Sequence, residues 1–253
     1  MPNSATNVES PDRYAGSQKF ATSRTRRIPL ALPRQIICGG MSYAAHNKEL
    51  AEWFPIKEEI KGLPWFFVKS PSSFSSDGAP VKLPDISPLI KKTFDNSWGQ
   101  VTGEVELGIV IKDTCHRLKV SDVREHILGY TIFNDLTQRD MELAGYPVCA
   151  SKGFYTFGPI GPHMVPAEDI ENVQSLRFEL RVNGVAYQNG SLSEMMFPIE
   201  TVVSLASQIY ELRAGDIVTT GSPPGMFDYR LRPGDVIEAE IEDIGVLRNP
   251  VTI

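Results

Sequence analysis

Several things are scarce in this 253-residue chain, and each scarcity removes a class of function. No run approaches eighteen apolar residues, so a membrane-spanning helix is not expected. Cysteine is sparse: Cys38, Cys115 and Cys149 form no close pair and no zinc spacing. An odd, scattered set of this kind argues for a reducing compartment, with the cytoplasm as the default and all three thiols structural. Positive charge is also short, with 25 basic against 31 acidic residues and a net charge of −6. That balance disfavours a nucleic-acid surface and leaves a small molecule as the expected partner. The glycine-rich Gly158-Pro159-Ile160-Gly161-Pro162 lacks the strand-glycine-helix setting of a dinucleotide loop, so a nicotinamide cofactor is not expected.

What remains is an ordinary globular composition, 42% hydrophobic and 22% charged, long enough to bury a sizeable core. Residues 1–27 are rich in Ser, Thr, Asn and Arg and lack apolar periodicity, so they read as a flexible N-terminal tail. Arg24, Arg26 and Arg27 give them a transit-peptide flavour that Glu9 and Asp12 spoil. Residues 28–253 read as one folded domain.

Gln35–Cys38 is expected as a short buried strand closed by Gly39-Gly40, and Tyr43–Trp53 as a helix stopped by Pro55. Trp65–Val68 predicts another strand, and the Ser- and Pro-rich stretch from Ser70 to Ser97 a loop with one helical turn. Val105–Ile111 and Gly129–Asn134 are strand candidates. Asn183-Gly184 between Phe178–Val182 and Val185–Gln188 is a strong hairpin signal. Ile199–Tyr210 predicts an amphipathic helix with Val202, Val203, Ala206, Ile209 and Tyr210 on one face. The segment Leu212-Arg213-Ala214-Gly215-Asp216-Ile217 recurs as Leu231-Arg232-Pro233-Gly234-Asp235-Val236, each copy a turn into a strand. The last strands are expected at Val236–Ile241 and Val246–Val251, which together suggest a β-rich barrel or roll. Trp53, Trp65, Phe66 and Phe67 read as core, Met195-Met196-Phe197 as packing under the helix, and His116, His126 and His163 as structural.

Two constellations carry chemistry. Glu104 and Glu106 stand two apart at the start of an apolar strand and therefore share a face. Their mutual repulsion would be relieved by a cation, and Asp135, after the next strand, can complete an oxygen set suited to a hard divalent ion. His46 and Glu49 lie three apart on the expected helix, where a carboxylate can orient an imidazole as general base.

Longer blocks sharpen this. Gly40-Met41-Ser42-Tyr43-Ala44-Ala45-His46-Asn47-Lys48-Glu49, Glu104-Val105-Glu106-Leu107-Gly108, Gly129-Tyr130-Thr131-Ile132-Phe133-Asn134-Asp135 running on to Arg139-Asp140, Ser151-Lys152-Gly153-Phe154 and Thr220-Gly221-Ser222-Pro223-Pro224-Gly225 resemble, in order and spacing, the fumarylacetoacetate hydrolase family. The resemblance implies an α+β, mostly β fold, a mixed β-roll with a few short helices, assembled as a homodimer and carrying a lid near residues 40–54. It implies Mg²⁺ or Mn²⁺, with Ca²⁺ as a crystallographic substitute, on Glu104, Glu106 and Asp135. It further implies Lys152 beside substrate and metal, Thr220 for the substrate carboxylate, Ser42, Tyr43, Arg139 and Glu142 facing the substrate, and His46 with Glu49 as the proton-transferring dyad. Met41, Ser42, Glu142, Gly153 and Ser222 depart from residues common in the family at those positions.

The expected reaction is hydrolytic C–C cleavage of an acylpyruvate-like oxo-acid. The alternative on the same residues is decarboxylation or isomerisation (tautomerisation) of a 2-oxo-diacid, and a non-catalytic scaffold is the remaining rival.

Overall fold

The Asn183-Gly184 turn forms as its chemistry demands: both residues take positive φ, 51° and 80°, the conformation a two-residue hairpin needs. In the computed structural model, which describes residues 20, 25–53, 62–90 and 96–253, this turn joins two of fourteen strands. In chain order these are β1 (Ile36–Gly40), β2 (Trp65–Lys69), β3 (Phe74–Ser76), β4 (Val81–Lys82), β5 (Val101–Thr102), β6 (Val105–Ile111) and β7 (Ile127–Asn134). They continue as β8 (Thr137–Gln138), β9 (Gly158–Pro166), β10 (Arg177–Val182), β11 (Val185–Ser191), β12 (Ile217–Thr219), β13 (Val236–Ile241) and β14 (Gly245–Thr252). Among the described residues four short α-helices interleave: α1 (Ala44–Ala51), α2 (Arg139–Leu143), α3 (Val148–Ser151) and α4 (Ile199–Ile209).

A seven-stranded sheet runs β2-β1-β12-β6-β7-β9-β3, and a five-stranded sheet runs β11-β10-β13-β14-β4. β1 with β12, β3 with β9 and β14 with β4 pair in parallel, and the remaining pairs are antiparallel, which makes the expected mixed β-roll. Leu107, Ile109 and Ile132 from the first sheet and Leu180, Ile237, Ala239 and Leu247 from the second belong to one buried cluster. Each such aliphatic side chain taken fully out of water contributes about 1.5–3 kcal/mol. The two copies of the repeated turn are built alike. The Asp216 carboxylate accepts the Arg213 N–H at 2.9 Å, and Asp235 accepts that of Arg232 at 2.7 Å. Each turn then delivers the chain into β12 or β13.

Some expectations differ from the structure. The stretch after Ser70 is not loop alone: β3 and β4 lie in it, each recruited by a partner distant in sequence, β9 and β14. β9 itself was hidden by its prolines, which read as turn residues. On α4, Ile209 is 62% exposed rather than buried, and Ser204 and Ser207 join the inner face instead. Ser207 can do so because its hydroxyl donates to the Ser204 carbonyl and accepts the Leu118 N–H. Cys38 and Cys115 are buried, but Cys149 is exposed. Most of the expected tail, and Pro55, lie outside the described residues. Of the tail, Phe20 is buried with its N–H on Glu240, and Arg26 pairs with Glu168 and Asp169. No helix among the described residues is long and apolar enough to cross a membrane.

Candidate active site

β6 and β7 lie side by side with Val105 opposite Asn134, so the carboxylates at their adjoining ends meet. Alternation along β6 turns Glu104 and Glu106 to one face, and the chain leaving β7 brings in Asp135, whose N–H bonds the Glu104 carbonyl at 2.9 Å. One oxygen from each carboxylate lies within 4.8 Å of the others, and all three residues are buried, at 4%, 3% and 1% exposure.

The three carboxylates are partnered unequally. Lys152 Nζ donates to Glu104 at 2.5 Å and to Asp135 at 2.7 Å, and Arg139 donates to the other Glu104 oxygen at 2.8 Å. Lys69, fully buried, donates to Asp135 and to the Leu136 carbonyl. Among the described residues Glu106 has only the Thr219 hydroxyl and no ammonium or guanidinium at ion-pair distance. Burial alone would raise the Glu104 carboxyl, but Lys152 and then Arg139 hold it below the usual carboxylate range. At Glu106, burial and then the Asp135 and Glu104 charges push the carboxyl well above that range. Burial also pushes the Lys69 ammonium down against the pull of its one carboxylate, Asp135, whereas Lys152, with two, is raised. The missing positive charge beside Glu106, together with an all-oxygen donor set, fits a hard divalent cation such as Mg²⁺ or Mn²⁺ held by Glu104, Glu106 and Asp135.

A partly open pocket of about 420 Å³ stands over this cluster, and His46, Leu50, Trp65, Phe67, Lys152 and Ser222 line it with the carboxylates. The lid expected near residues 40–54 contains α1, shorter than expected. His46 Nδ1 stands 3.5 Å from the Glu49 carboxylate, which itself accepts the Gly225 N–H at 3.1 Å. Trp53 is half-exposed and stacks on Phe227 at 4.7 Å, and Phe227 in turn covers the Arg139 guanidinium at 5.5 Å. Trp53, read as core, is therefore a lid contact. Trp65 and Phe67 form a pocket wall, because alternate residues of the edge strand β2 face opposite ways, and Phe67 packs as well against a second core cluster while Phe66 and Val68 pack on the main one.

The structure thus brings His46, Glu49, Lys152, Glu104, Glu106 and Asp135 together. Of the expected substrate-facing residues, Arg139 and Glu142 line the pocket, whereas Ser42, Tyr43 and Thr220 stand behind it. Arg139 is 1% exposed and its guanidinium donates to Thr102, Glu142 and Glu104, so it braces Glu104 and Glu142. The Thr220 hydroxyl faces backbone, donating to the Gly221 carbonyl and accepting the Leu107 N–H. Tyr43 is buried edge-on against Phe178. The Ser42 hydroxyl is buried and has no hydrogen-bond partner among the described residues. Lys69 and Thr219 carry no sequence signal of their own, since each meets its carboxylate only through the fold.

Comparison with known proteins agrees with this geometry. The family model described as the fumarylacetoacetate (FAA) hydrolase C-terminal domain matches residues 35–252. The chain is 39% identical over 219 residues to an uncharacterized protein of Methanocaldococcus jannaschii, covering 87% of this chain and 83% of that one. It is 32% identical over 251 residues to an oxaloacetate tautomerase of Bacillus subtilis, covering 96% and 79%. Among solved structures, a 5-carboxymethyl-2-hydroxymuconate delta-isomerase from Mycobacterium smegmatis superposes with a TM-score of 0.72 at 30% identity, covering 90% of this chain and 82% of that one.

Proposed function

The chain belongs to the fumarylacetoacetate hydrolase family, and from that premise we propose that it is a divalent-metal-dependent tautomerase of a small 2-oxo-diacid of the oxaloacetate type. The observation that carries this reading is the meeting of Lys152, His46 and the three carboxylates in one pocket, in a chain similar to an oxaloacetate tautomerase over 96% of its length. The comparisons support the isomerase alternative better than the C–C hydrolysis the sequence suggested first.

Glu104, Glu106 and Asp135 would hold the cation, which when bound supplies Lewis-acid polarisation of a 2-oxo oxygen. Lys152 keeps a buried ammonium beside that cluster, where it favours negative charge developing on an enolate oxygen. Conversion of enol to keto acid removes the hydroxyl proton and adds one at carbon 3. His46 is the group placed to move the proton at carbon 3, with the Glu49 carboxylate 3.5 Å from its Nδ1. Leu50, Trp65 and Phe67 give the pocket an apolar wall that keeps bulk water from the enolate. Ser222, which lines the pocket, offers a hydroxyl for a carboxylate of the diacid. Assembly as a homodimer belongs to the same proposal, and a solution mass equal to one 28.1 kDa chain would remove that part.

The test is a mass-resolved assay of enol oxaloacetate with purified protein, first with Mg²⁺ or Mn²⁺ and then with EDTA. Metal-dependent loss of the enol signal at unchanged mass supports tautomerisation. Release of CO₂ would make it a decarboxylase, and a free acid from an acylpyruvate would restore the hydrolase. An enol–keto rate no faster than buffer with metal loaded overturns the proposal.

A further inference from the structure

β6 has chemistry at both ends. Glu104 and Glu106 belong to the catalytic cluster, while the chain leaving the far end carries Asp113 and Cys115. His126, the residue before β7, returns beside them. At about 3.3 Å per residue, the seven steps from Glu106 to Asp113 place this second group roughly 23 Å from the first.

One oxygen, the sulfur and one ring nitrogen from Asp113, Cys115 and His126 all lie within 4.8 Å of one another. His126 Nδ1 and Asp113 Oδ1 are 2.5 Å apart. Cys115 is 7% exposed, while the Asp113 side chain is about half-exposed. Backbone bonds hold the three in place. The Lys112 N–H donates to the His126 carbonyl at 2.8 Å, and Cys115 exchanges both backbone bonds with Leu212 at 2.9 and 3.0 Å. Burial and then the charges of Asp113 and of the buried Asp216 raise the Cys115 thiol, and Asp216 is itself held by Arg34, Gln35 and the Arg213 N–H.

We propose that Asp113, Cys115 and His126 form a second metal site, selective for a zinc-class ion. The donor chemistry separates it from the catalytic cluster: one sulfur and one nitrogen suit Zn²⁺ or Co²⁺, whereas three carboxylates suit Mg²⁺ or Mn²⁺. Binding replaces the thiol proton, which passes to solvent, and uses neutral imidazole and ionised carboxylate. Three protein ligands leave one position for water on the open Asp113 side. The bound ion would fasten the chain that follows β6 to the start of β7. The bland alternative is a surface Asp113–His126 ion pair beside an inert buried cysteine, and the two readings part on one measurement.

The experiment titrates metal-stripped, full-length protein with Co²⁺ in excess Mg²⁺ and follows the thiolate-to-cobalt charge-transfer band. The expected result is a band that saturates at one equivalent and vanishes in Cys115→Ser. In His126→Gln, a surface change that spares the core, cobalt affinity should fall at least tenfold. Asp135→Asn should keep the band, because it disables only the catalytic cluster. Circular dichroism checks that each variant is folded. Absence of the band in wild type, or its survival in Cys115→Ser, overturns the proposal whatever the fate of the tautomerase reading.

Discussion

The Glu49 carboxylate accepts the Gly225 N–H at 3.1 Å while standing 3.5 Å from His46, so one side chain both closes the lid and faces the imidazole. The two duties separate by substitution. Glu49→Gln keeps an oxygen for Gly225 and loses the charge beside His46. The expected outcome is a kcat lower by about 10²-fold with an unchanged melting temperature. Wild-type turnover in this variant would take Glu49 out of the proton transfer.

Trp53 reaches the rest of the molecule by stacking on Phe227, which also covers Arg139. Phe227→Ala removes that clasp without touching a carboxylate of the cluster. It should raise KM several-fold with a smaller effect on kcat, since aromatic pairs of this kind contribute roughly 0.5–1.5 kcal/mol. Steady-state kinetics decide it, and an unchanged KM means the clasp does not hold the lid.

Glu106 makes stability depend on pH. Its folded-state carboxyl is raised by burial and then by Asp135 and Glu104, so metal-free folded protein holds a proton that the unfolded chain releases near pH ~4.3. Stability is therefore full below that value and is lost as pH rises through the folded value. Glu104 works the other way: its depressed carboxyl contributes stability that is full above the unfolded value and is lost as pH falls below it. Thermal melts in EDTA should decline with rising pH, and Mg²⁺ should restore more the higher the pH. Glu106→Gln should flatten the EDTA profile; the same slope in that variant would assign the effect elsewhere.

Lys69 donates to both Asp135 and the Leu136 carbonyl from a fully buried position. Lys69→Met fills similar space and leaves two buried acceptors short of a donor. Urea unfolding of the metal-free variant should show a loss of about 3–5 kcal/mol. A loss below about 1 kcal/mol would mean that Lys152 alone suffices for Asp135.

Local chemistry made part of this molecule legible from its sequence. Glu104 and Glu106 share a face because strand geometry alternates with a period of two. Asn183-Gly184 turns because it tolerates positive φ, and the faces of α4 follow from helical spacing, apart from Ile209. His46 and Glu49 are neighbours on any helix. The position of Asp135 just after the next strand candidate added the third carboxylate, and the family resemblance added Lys152 to the same site. Other features came only from the tertiary structure, because they join residues far apart in the chain. Thr219 reaches Glu106 across 113 positions and Lys69 reaches Asp135 across 66, and no local pattern reports such pairs. The short strands β3 and β4 exist through distant parallel partners, and Arg139 braces Glu104 because Thr102 and Glu142 surround it. Local spacing sets which side chains share a face; only burial against distant strands decides which charges are paired, and so which carboxylate is left for a cation.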